Sequence, residues 1–352
     1  MTVSKSVLLI GNFLSGGNVS RQVCEEMELR LKARGWHVVS ASSKQNRMWR
    51  LIDFAWTAWS KRDQYELAVV DVFSGSAFFW AEMACAVVSA AGSPFILTLH
   101  GGNLPQFAER YPRRVRALLE RAAAVTAPSH YLKGELASLR QDILVLPNGL
   151  DLSKFAYRPR TDYRRLVWLR AFEKTYNAGL AIDVLAVLAK EFPDLCLTMV
   201  GPDKDGTLEE VQARVAHFGL HDRVEFPGRV PKADVPQWLD RGDIFLNTTN
   251  VDNMPVSVIE AMASGVPVVS TAVGGVPYLI EHEKDGVLVP PADARAMADA
   301  VRRLLNDPDL TCGLARAARL KVELWDWNEI LPQWEELLLG VLDRQGVDRG
   351  FI

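Results

Sequence analysis

Asp252 and Glu260 stand eight residues apart in the run Asp252-Asn253-Met254-Pro255-Val256-Ser257-Val258-Ile259-Glu260. Pro255 suits the first position of a helix, where a missing N–H costs nothing. The amides of Val256 and Ser257 then open that helix and suit a phosphate. Glu260 falls more than one turn further on. A carboxylate beside a phosphate site does not bind the phosphate; it accepts two hydrogen bonds and suits a diol such as ribose. Asp252, in the loop ahead, suits a second polyol. Arg170 and Lys174 lie four residues apart, a fork of donors and a point charge that together suit a diphosphate. The alternative is two solvated cations, with Glu173 free to pair with either. His100, in Leu99-His100-Gly101-Gly102-Asn103, suits a sugar hydroxyl or a developing charge, or else is a satisfied structural histidine. The turn Gly11-Asn12-Phe13-Leu14-Ser15-Gly16-Gly17-Asn18 lets backbone approach an anion at the start of the next helix. It is neither a GxGxxG nor a P-loop, and it reads equally as an ordinary tight turn.

These residues need elements that hold them, and the hydrophobic pattern supplies them. In the first half, short apolar runs at 6–10, 36–41, 66–73, 95–99, 124–127 and 143–146 read as buried strands. Helical periodicity at 19–34, 77–91, 113–121 and 131–138 falls between them. A second alternating set has strands at 166–169, 195–200, 224–226, 244–247 and 268–270. Its helices are at 180–192, 208–218, 235–241 and 256–264, with more at 292–305, 308–322 and 327–342. The polar stretch 153–163 divides the sets. Two Rossmann-like domains with parallel sheets follow, and ligands in such sheets sit beyond the C-terminal strand ends. The singled-out residues fall at those ends.

The composition fits 352 residues in two globular domains, with 49% hydrophobic and 24% charged residues. A net charge of −3 excludes wholesale coating of nucleic acid. The charge is uneven: residues 1–160 carry 20 basic against 13 acidic residues, and residues 161–352 carry 20 against 30. The first half therefore suits an anionic neighbour, a membrane surface or phosphorylated ligand, or is simply solvated. Cys24, Cys85, Cys196 and Cys312 show neither metal spacing nor a disulfide framework, which points to a reducing cytosol. The start carries no secretory core, and the most apolar stretch, 77–91, is too short to span a membrane. Asp203-Lys204-Asp205 has the form of a metal-binding DxD but reads as a charged surface turn.

Taken together and in order, these motifs resemble the large family of retaining glycosyltransferases with the GT-B fold, family 4 or glycosyl transferases group 1, with its Glu-x7-Glu signature. The resemblance covers nearly the whole chain. It includes Gly16-Gly17, His100, Pro147-Asn148-Gly149-Leu150-Asp151, Arg170 with Lys174 and Val200-Gly201-Pro202. It continues through Val224-Glu225-Phe226-Pro227-Gly228-Arg229-Val230 and the run from Glu260 to Val269. It implies an α/β chain of two facing Rossmann-like domains with an interdomain cleft. Residues 1–160 form the acceptor side, with a C-terminal helix near 328–352 crossing back onto it, and 161–327 bind the nucleotide sugar. It further implies that Gly16 and Gly17 meet the donor phosphate and that His100 touches the donor sugar. Arg170 and Lys174 neutralise the diphosphate, and Asp252 faces the sugar's outer hydroxyls. Asn253, Met254, Pro255 and Val256 wrap sugar and phosphate, Glu260 holds the ribose, and Gly228 and Val230 flank the base. The resemblance implies no cofactor and no metal, with a UDP-sugar the commonest donor. Asp252 departs from the signature, being one methylene shorter than Glu, which bears on the choice of donor sugar. The alternatives are a nucleotide-sugar epimerase of the same fold and a non-catalytic glycan-binding or scaffold relative.

The acceptor, a glycan or lipid-linked hydroxyl, belongs in this fold to the first domain. There the run from Met48 to Arg62 holds Trp49, Trp56 and Trp59 at helical spacing, with basic residues at both ends. This reads as a core-facing helix with aromatic filler, or as a helix at a membrane interface or a lipid-linked acceptor site. The second reading adds peripheral contact with the inner membrane face to a cytoplasmic location. Trp325, Trp327 and Trp334 read as packing residues.

Overall fold

Short, mostly buried runs separated by helices build two parallel sheets. The computed structural model describes residues 5–11, 13, 23–42, 44, 46–160 and 163–349; Gly16 and Gly17 lie outside them. The chain divides into two compact units, Met1–Gly149 with Trp327–Ile352, and Leu150–Asp326.

The first unit runs β1 (Ser6–Ile10), α1 (Val23–Ala33), β2 (His37–Ala41), α2 (Arg47–Ser60), β3 (Leu67–Val72) and α3 (Ser76–Ala90). It continues with β4 (Phe95–Leu99), α4 (Leu104–Arg110), α5 (Pro112–Arg121), β5 (Ala124–Ala127), α6 (His130–Glu135) and β6 (Leu144–Val145). Its six strands lie in the order β2-β1-β3-β4-β5-β6, each neighbouring pair parallel. The chain steps one way from β1 to β2 and the other way from β2 onward. Right-handed crossovers then put α1 on one face and α2, α3 and their successors on the other. Strands covered on both faces are mainly apolar, and β1, β4 and β5 are buried at every position, with Ser6, Thr98 and Thr126 their only polar residues.

The second unit runs β7 (Arg165–Leu169), α7 (Ala178–Leu188), β8 (Cys196–Val200), α8 (Thr207–Phe218), β9 (Val224–Gly228), α9 (Val235–Arg241) and β10 (Ile244–Asn247). Then come α10 (Val256–Ala263), β11 (Val268–Thr271), α11 (Val276–Leu279), β12 (Val287–Val289), α12 (Ala294–Asn306) and α13 (Pro308–Glu323). The order is β12-β11-β10-β7-β8-β9, again parallel. The last helix, α14 (Trp327–Arg349), packs on α1 and β3 of the first unit.

The structure departs from the sequence pattern in a few places. α4, α11 and β12 were not legible: each is seven residues or fewer, too short for a period to declare itself. Pro255 is the residue before α10 rather than its first. Residues Val224–Gly228 are strand, so only Arg229 and Val230 of the expected base-flanking loop lie beyond it. The core-facing reading of Trp49, Trp56 and Trp59 is overturned, since all three are exposed and α2 turns Phe54, Thr57 and Ala58 inward. Trp327 and Trp334 are buried and Trp325 is half-buried against the second unit's core. Gly149 lies flat under Trp327, whose ring a Cβ there would enter.

Arg160 ties the second unit together. Its side chain is almost wholly buried and donates to the carbonyls of Gly242 (2.8 Å), Ser264 (3.0 Å) and Gly265 (2.8 Å). It therefore closes the C-terminal end of α10, where free carbonyls favour a cation. Replacing it by Met orphans three acceptors. We expect Arg160→Met to lower stability by about 3 kcal/mol, read as a lower urea midpoint with unchanged slope.

Candidate active site

In parallel sheets every strand points its C-terminal end to one edge, and a crevice opens where the strand order reverses. In the second unit that point lies between β7 and β10. Arg170 follows β7 directly, and the loop carrying Asp252 follows β10. The two side chains meet there: Arg170 Nη2 donates to Asp252 Oδ2, and both side chains are 15% exposed. The guanidinium also lies over the Tyr176 ring, 4.7 Å from its centroid. Asp252 accepts a second bond from the Asn253 N–H at 2.8 Å. The Arg170 Nε is buried without a hydrogen-bond partner, as is the Ser257 hydroxyl in the first turn of α10. Buried orphans of this kind call for an explanation, and a bound anion supplies one.

Close backbone approaches hold this edge. Gly201, at φ +154°, sits where a Cβ would overlap the Arg170 carbonyl. Gly274, at φ +50°, and Gly275 press on the carbonyls of Asp252 and Asn253 in the same way, and the Gly275 N–H donates to the Asp252 carbonyl at 3.0 Å. Threonine hydroxyls pin the rest of the loop, Thr248 Oγ1 to the Tyr176 carbonyl (2.7 Å) and Thr271 Oγ1 to the Thr249 carbonyl (2.6 Å). At the head of α10, the N–H groups of Val258 and Ile259 both donate to the Pro255 carbonyl, at 3.1 and 3.2 Å. The amides of Val256 and Ser257 therefore have no acceptor within the helix. Asn253 and Pro255 are buried, Met254 is half-buried and Val256 is exposed.

Glu260 is buried, and Lys232 Nζ donates to its Oε1. Lys232 was not legible as a site residue; the signal was its place two residues past Val230, beyond the end of β9. Gly228 and Val230 are half-buried there, and Gly228 has φ +74°. Lys174 is exposed on a short 3-10 turn, Lys174–Tyr176. Glu173 pairs with neither Arg170 nor Lys174 but with Lys204 at 3.4 Å. The carboxylates of Asp203 and Asp205 are occupied locally. Asp203 accepts from the Gly206 and Leu208 N–H groups, and Asp205 from the Thr207 hydroxyl and the Lys174 N–H. The Thr207 hydroxyl, then the Lys174 N–H, hold the Asp205 carboxyl below its usual range.

The first unit has its own crevice, where the order reverses between β1 and β3. Asp71, near the end of β3, bonds His100 Nε2 at 3.0 Å. The imidazole stacks on Phe73, 5.0 Å between centroids and 20° between planes. Gly11, just past β1, leaves room for the Asp71 carboxylate, which a Cβ there would approach to 2.5 Å. Asp71 fixes which ring nitrogen of His100 is left for a ligand. Sequence reasoning passed over it because it lies 29 residues from its partner. Trp49, Trp56 and Trp59 are not part of this crevice; they stand on the outer side of α2.

Two family models match the chain, glycosyltransferase family 4 over residues 21–154 and glycosyl transferases group 1 over residues 164–307. The amylovoran biosynthesis glycosyltransferase AmsK of Erwinia amylovora is 31% identical over 193 residues, 52% of this chain and 47% of that protein. The N-acetyl-alpha-D-glucosaminyl L-malate synthase of Bacillus anthracis is 27% identical over 269 residues, 71% of this chain and 69% of that one. The chain spans about half the length of relatives matching above 30% identity. Among solved structures, Anabaena Alr3699/HepE in complex with UDP aligns at TM-score 0.75 and 20% identity, covering 96% of this chain and all of that one. The sucrose-phosphate synthase of Thermosynechococcus elongatus aligns at TM-score 0.79 and 20% identity, over 97% and 100%.

The Lys232–Glu260 pair is open to a double-mutant cycle. Lys232→Met leaves a buried carboxylate unpaired, and we expect a loss of about 2 kcal/mol, moderated because the lysine is half in solvent. Adding Glu260→Gln should return about 1 kcal/mol of it in urea denaturation; strict additivity would show that the pair is not coupled.

Proposed function

The chain belongs to the group 1 glycosyl transferases of glycosyltransferase family 4, and from that premise we propose that it moves a sugar from a nucleoside diphosphate donor to a hydroxyl of a glycan or lipid-linked acceptor. One observation carries this reading. The edge between β7 and β10 gathers a guanidinium with an unused donor, two unbonded amides at a helix head and a buried carboxylate one turn further on. That is a diphosphate site followed by a diol site. Arg170, Lys174 and the Val256 and Ser257 amides take the diphosphate, and Glu260, steadied by Lys232, takes the ribose hydroxyls. Asp252 meets the transferred sugar. In the first unit, His100, held by Asp71, is a hydrogen-bonding group of that unit's own crevice.

The reaction breaks the bond between the anomeric carbon and the diphosphate oxygen and forms one to the acceptor oxygen. The acceptor proton passes to the departing phosphate. Substitution from the same face retains the anomeric configuration without a carboxylate nucleophile. Arg170, Lys174 and the head of α10 stabilise the charge that grows on the leaving group. Fixed cations at that position make a divalent metal unnecessary. The UDP complex of Alr3699/HepE supports a uridine diphosphate donor, and the naming of AmsK for amylovoran biosynthesis supports a glycan acceptor. Among the described residues no helix is long and apolar enough to cross a membrane. Cys24, Cys85, Cys196 and Cys312 are free thiols, which favours a cytoplasmic location.

A panel of nucleotide sugars, with EDTA present, tests the reading. One donor should raise the melting temperature with the logarithm of its excess over Kd and be slowly hydrolysed. Arg170→Ala should weaken that donor about a hundredfold, the equivalent of about 3 kcal/mol. Conversion to an isomeric nucleotide sugar would make the protein an epimerase. Silence toward all donors and bare nucleoside diphosphates would leave a scaffold.

A further inference from the structure

We propose that Tyr176 is the positioning residue for Arg170: its ring holds the guanidinium in place without occupying any of the N–H groups that a nucleoside diphosphate needs. The inference rests on the diphosphate reading of this edge and adds the residue that presents its cation. An arginine carries its donors around the rim of a planar group. A partner on that rim uses donors up, whereas a ring against the flat face uses none. Asp252 is a partner of the first kind, taking Nη2. Tyr176 is of the second, with the guanidinium carbon 4.7 Å from its ring centroid. The Nε, buried and without a hydrogen-bond partner, is a donor held in place and left unused.

Tyr176 can do this because it is itself tied down. Its half-buried ring packs on the second unit's core. Its carbonyl accepts the Thr248 hydroxyl at 2.7 Å, and the same Thr248 oxygen accepts the indole N–H of fully buried Trp168 at 2.9 Å. Its own N–H donates to the Glu173 carbonyl at 2.9 Å and closes the turn. One residue earlier, the Thr175 carbonyl accepts the Asn250 N–H at 2.8 Å. The turn that carries the ring is therefore stitched to residues 248–250, the segment that runs on to Asp252. Ring and carboxylate reach Arg170 from one backbone frame, yet only the carboxylate has a second task. On the proposed reading Asp252 turns to the sugar when the donor arrives, and the ring is then the contact that keeps the guanidinium from swinging into solvent. Fixing an arginine costs much rotamer freedom, and a ring that fixes it beforehand leaves less to be lost on binding.

Titration calorimetry of the full chain with UDP, GDP and ADP tests this through a double-mutant cycle. For the nucleotide that binds, Tyr176→Leu should weaken affinity about tenfold, the equivalent of about 1.4 kcal/mol. Tyr176→Phe, which keeps the ring face, should weaken it by less than about threefold. In the Arg170→Ala background Tyr176→Leu should change affinity by less than about twofold, because a residue that acts through Arg170 then has nothing to act on. Progressively fluorinated phenylalanines in place of Tyr176 keep the shape and drain the ring face of negative charge, so affinity should fall stepwise with each fluorine. That series reports even if Tyr176→Leu unfolds. Undiminished affinity in folded Tyr176→Leu, an equal loss in both backgrounds, or a flat fluorine series would each overturn the proposal and leave the diphosphate reading standing. If no nucleotide binds, or if Arg170→Ala binds as tightly as the wild type, the diphosphate reading falls and this inference with it.

Discussion

Backbone pressing on backbone sets the geometry on which the second unit's site depends. The chain leaving β7 runs against the chain leaving β8 at Gly201, and the loop after β10 runs against the chain leaving β11 at Gly274 and Gly275. None of these crossings has room for a Cβ. The Arg170 and Asp252 carbonyls are therefore positioned by main chain, which is stiffer than any side-chain contact. With both backbones fixed, the guanidinium and the carboxylate have little choice but to meet. Pre-organisation of this kind is what a site for a transient charge needs, because donors that must first be gathered lose much of their effect.

The two sheets use the same device with different residues. Each reverses its strand order beside its first strand, and each places glycine where the chain leaving one strand approaches its neighbour. Gly11 makes room for the Asp71 carboxylate in the first sheet, as Gly201 makes room for the Arg170 carbonyl in the second. Asp71 then holds His100, and Asp252 holds Arg170. In both, a carboxylate on one side of the reversal orients the functional group of a neighbouring strand. Of these two pairs the second alone spans the reversal, since Asp71 on β3 and His100 just past β4 lie on the same side of the β1–β3 boundary.

Much of this was legible in the sequence, and the parts that were not share a cause. The strands of both sheets other than β12 and the run from Asp252 to Glu260 depend on local pattern. Asp71, Lys232 and the Gly274-Gly275 pair depend on contacts across 22 to 29 residues, which no local period records. Asp252 stood out by its place in the loop, but not as the partner of Arg170, which lies 82 residues away. α2 is the instructive case. Its periodicity announced an apolar side, yet the helix has two, and spacing cannot say which faces the sheet. The sheet selected Phe54 and Ala58, whose shapes pack under α3, and left the tryptophans outside.

The Arg170–Asp252 pair also gives the shorter carboxylate a physical meaning. Without ligand, the guanidinium is already neutralised, it lies over the Tyr176 ring, and its buried Nε has no hydrogen-bond partner. On the proposed reading, a diphosphate approaching the head of α10 offers that cation a doubly charged partner. Asp252 then exchanges a guanidinium for a sugar hydroxyl. The exchange keeps each charge paired throughout, so neither ion is stranded in a half-buried site, where an unpaired charge is expensive. A glutamate would reach one methylene further toward the sugar but would have to fold back to meet Arg170 from the same backbone. Because Gly274 and Gly275 fix that backbone, the aspartate favours the resting pair, and the sugar must come close to win the carboxylate away. Donor selectivity at this position is then a competition between two partners for one carboxylate, set by the reach of its side chain.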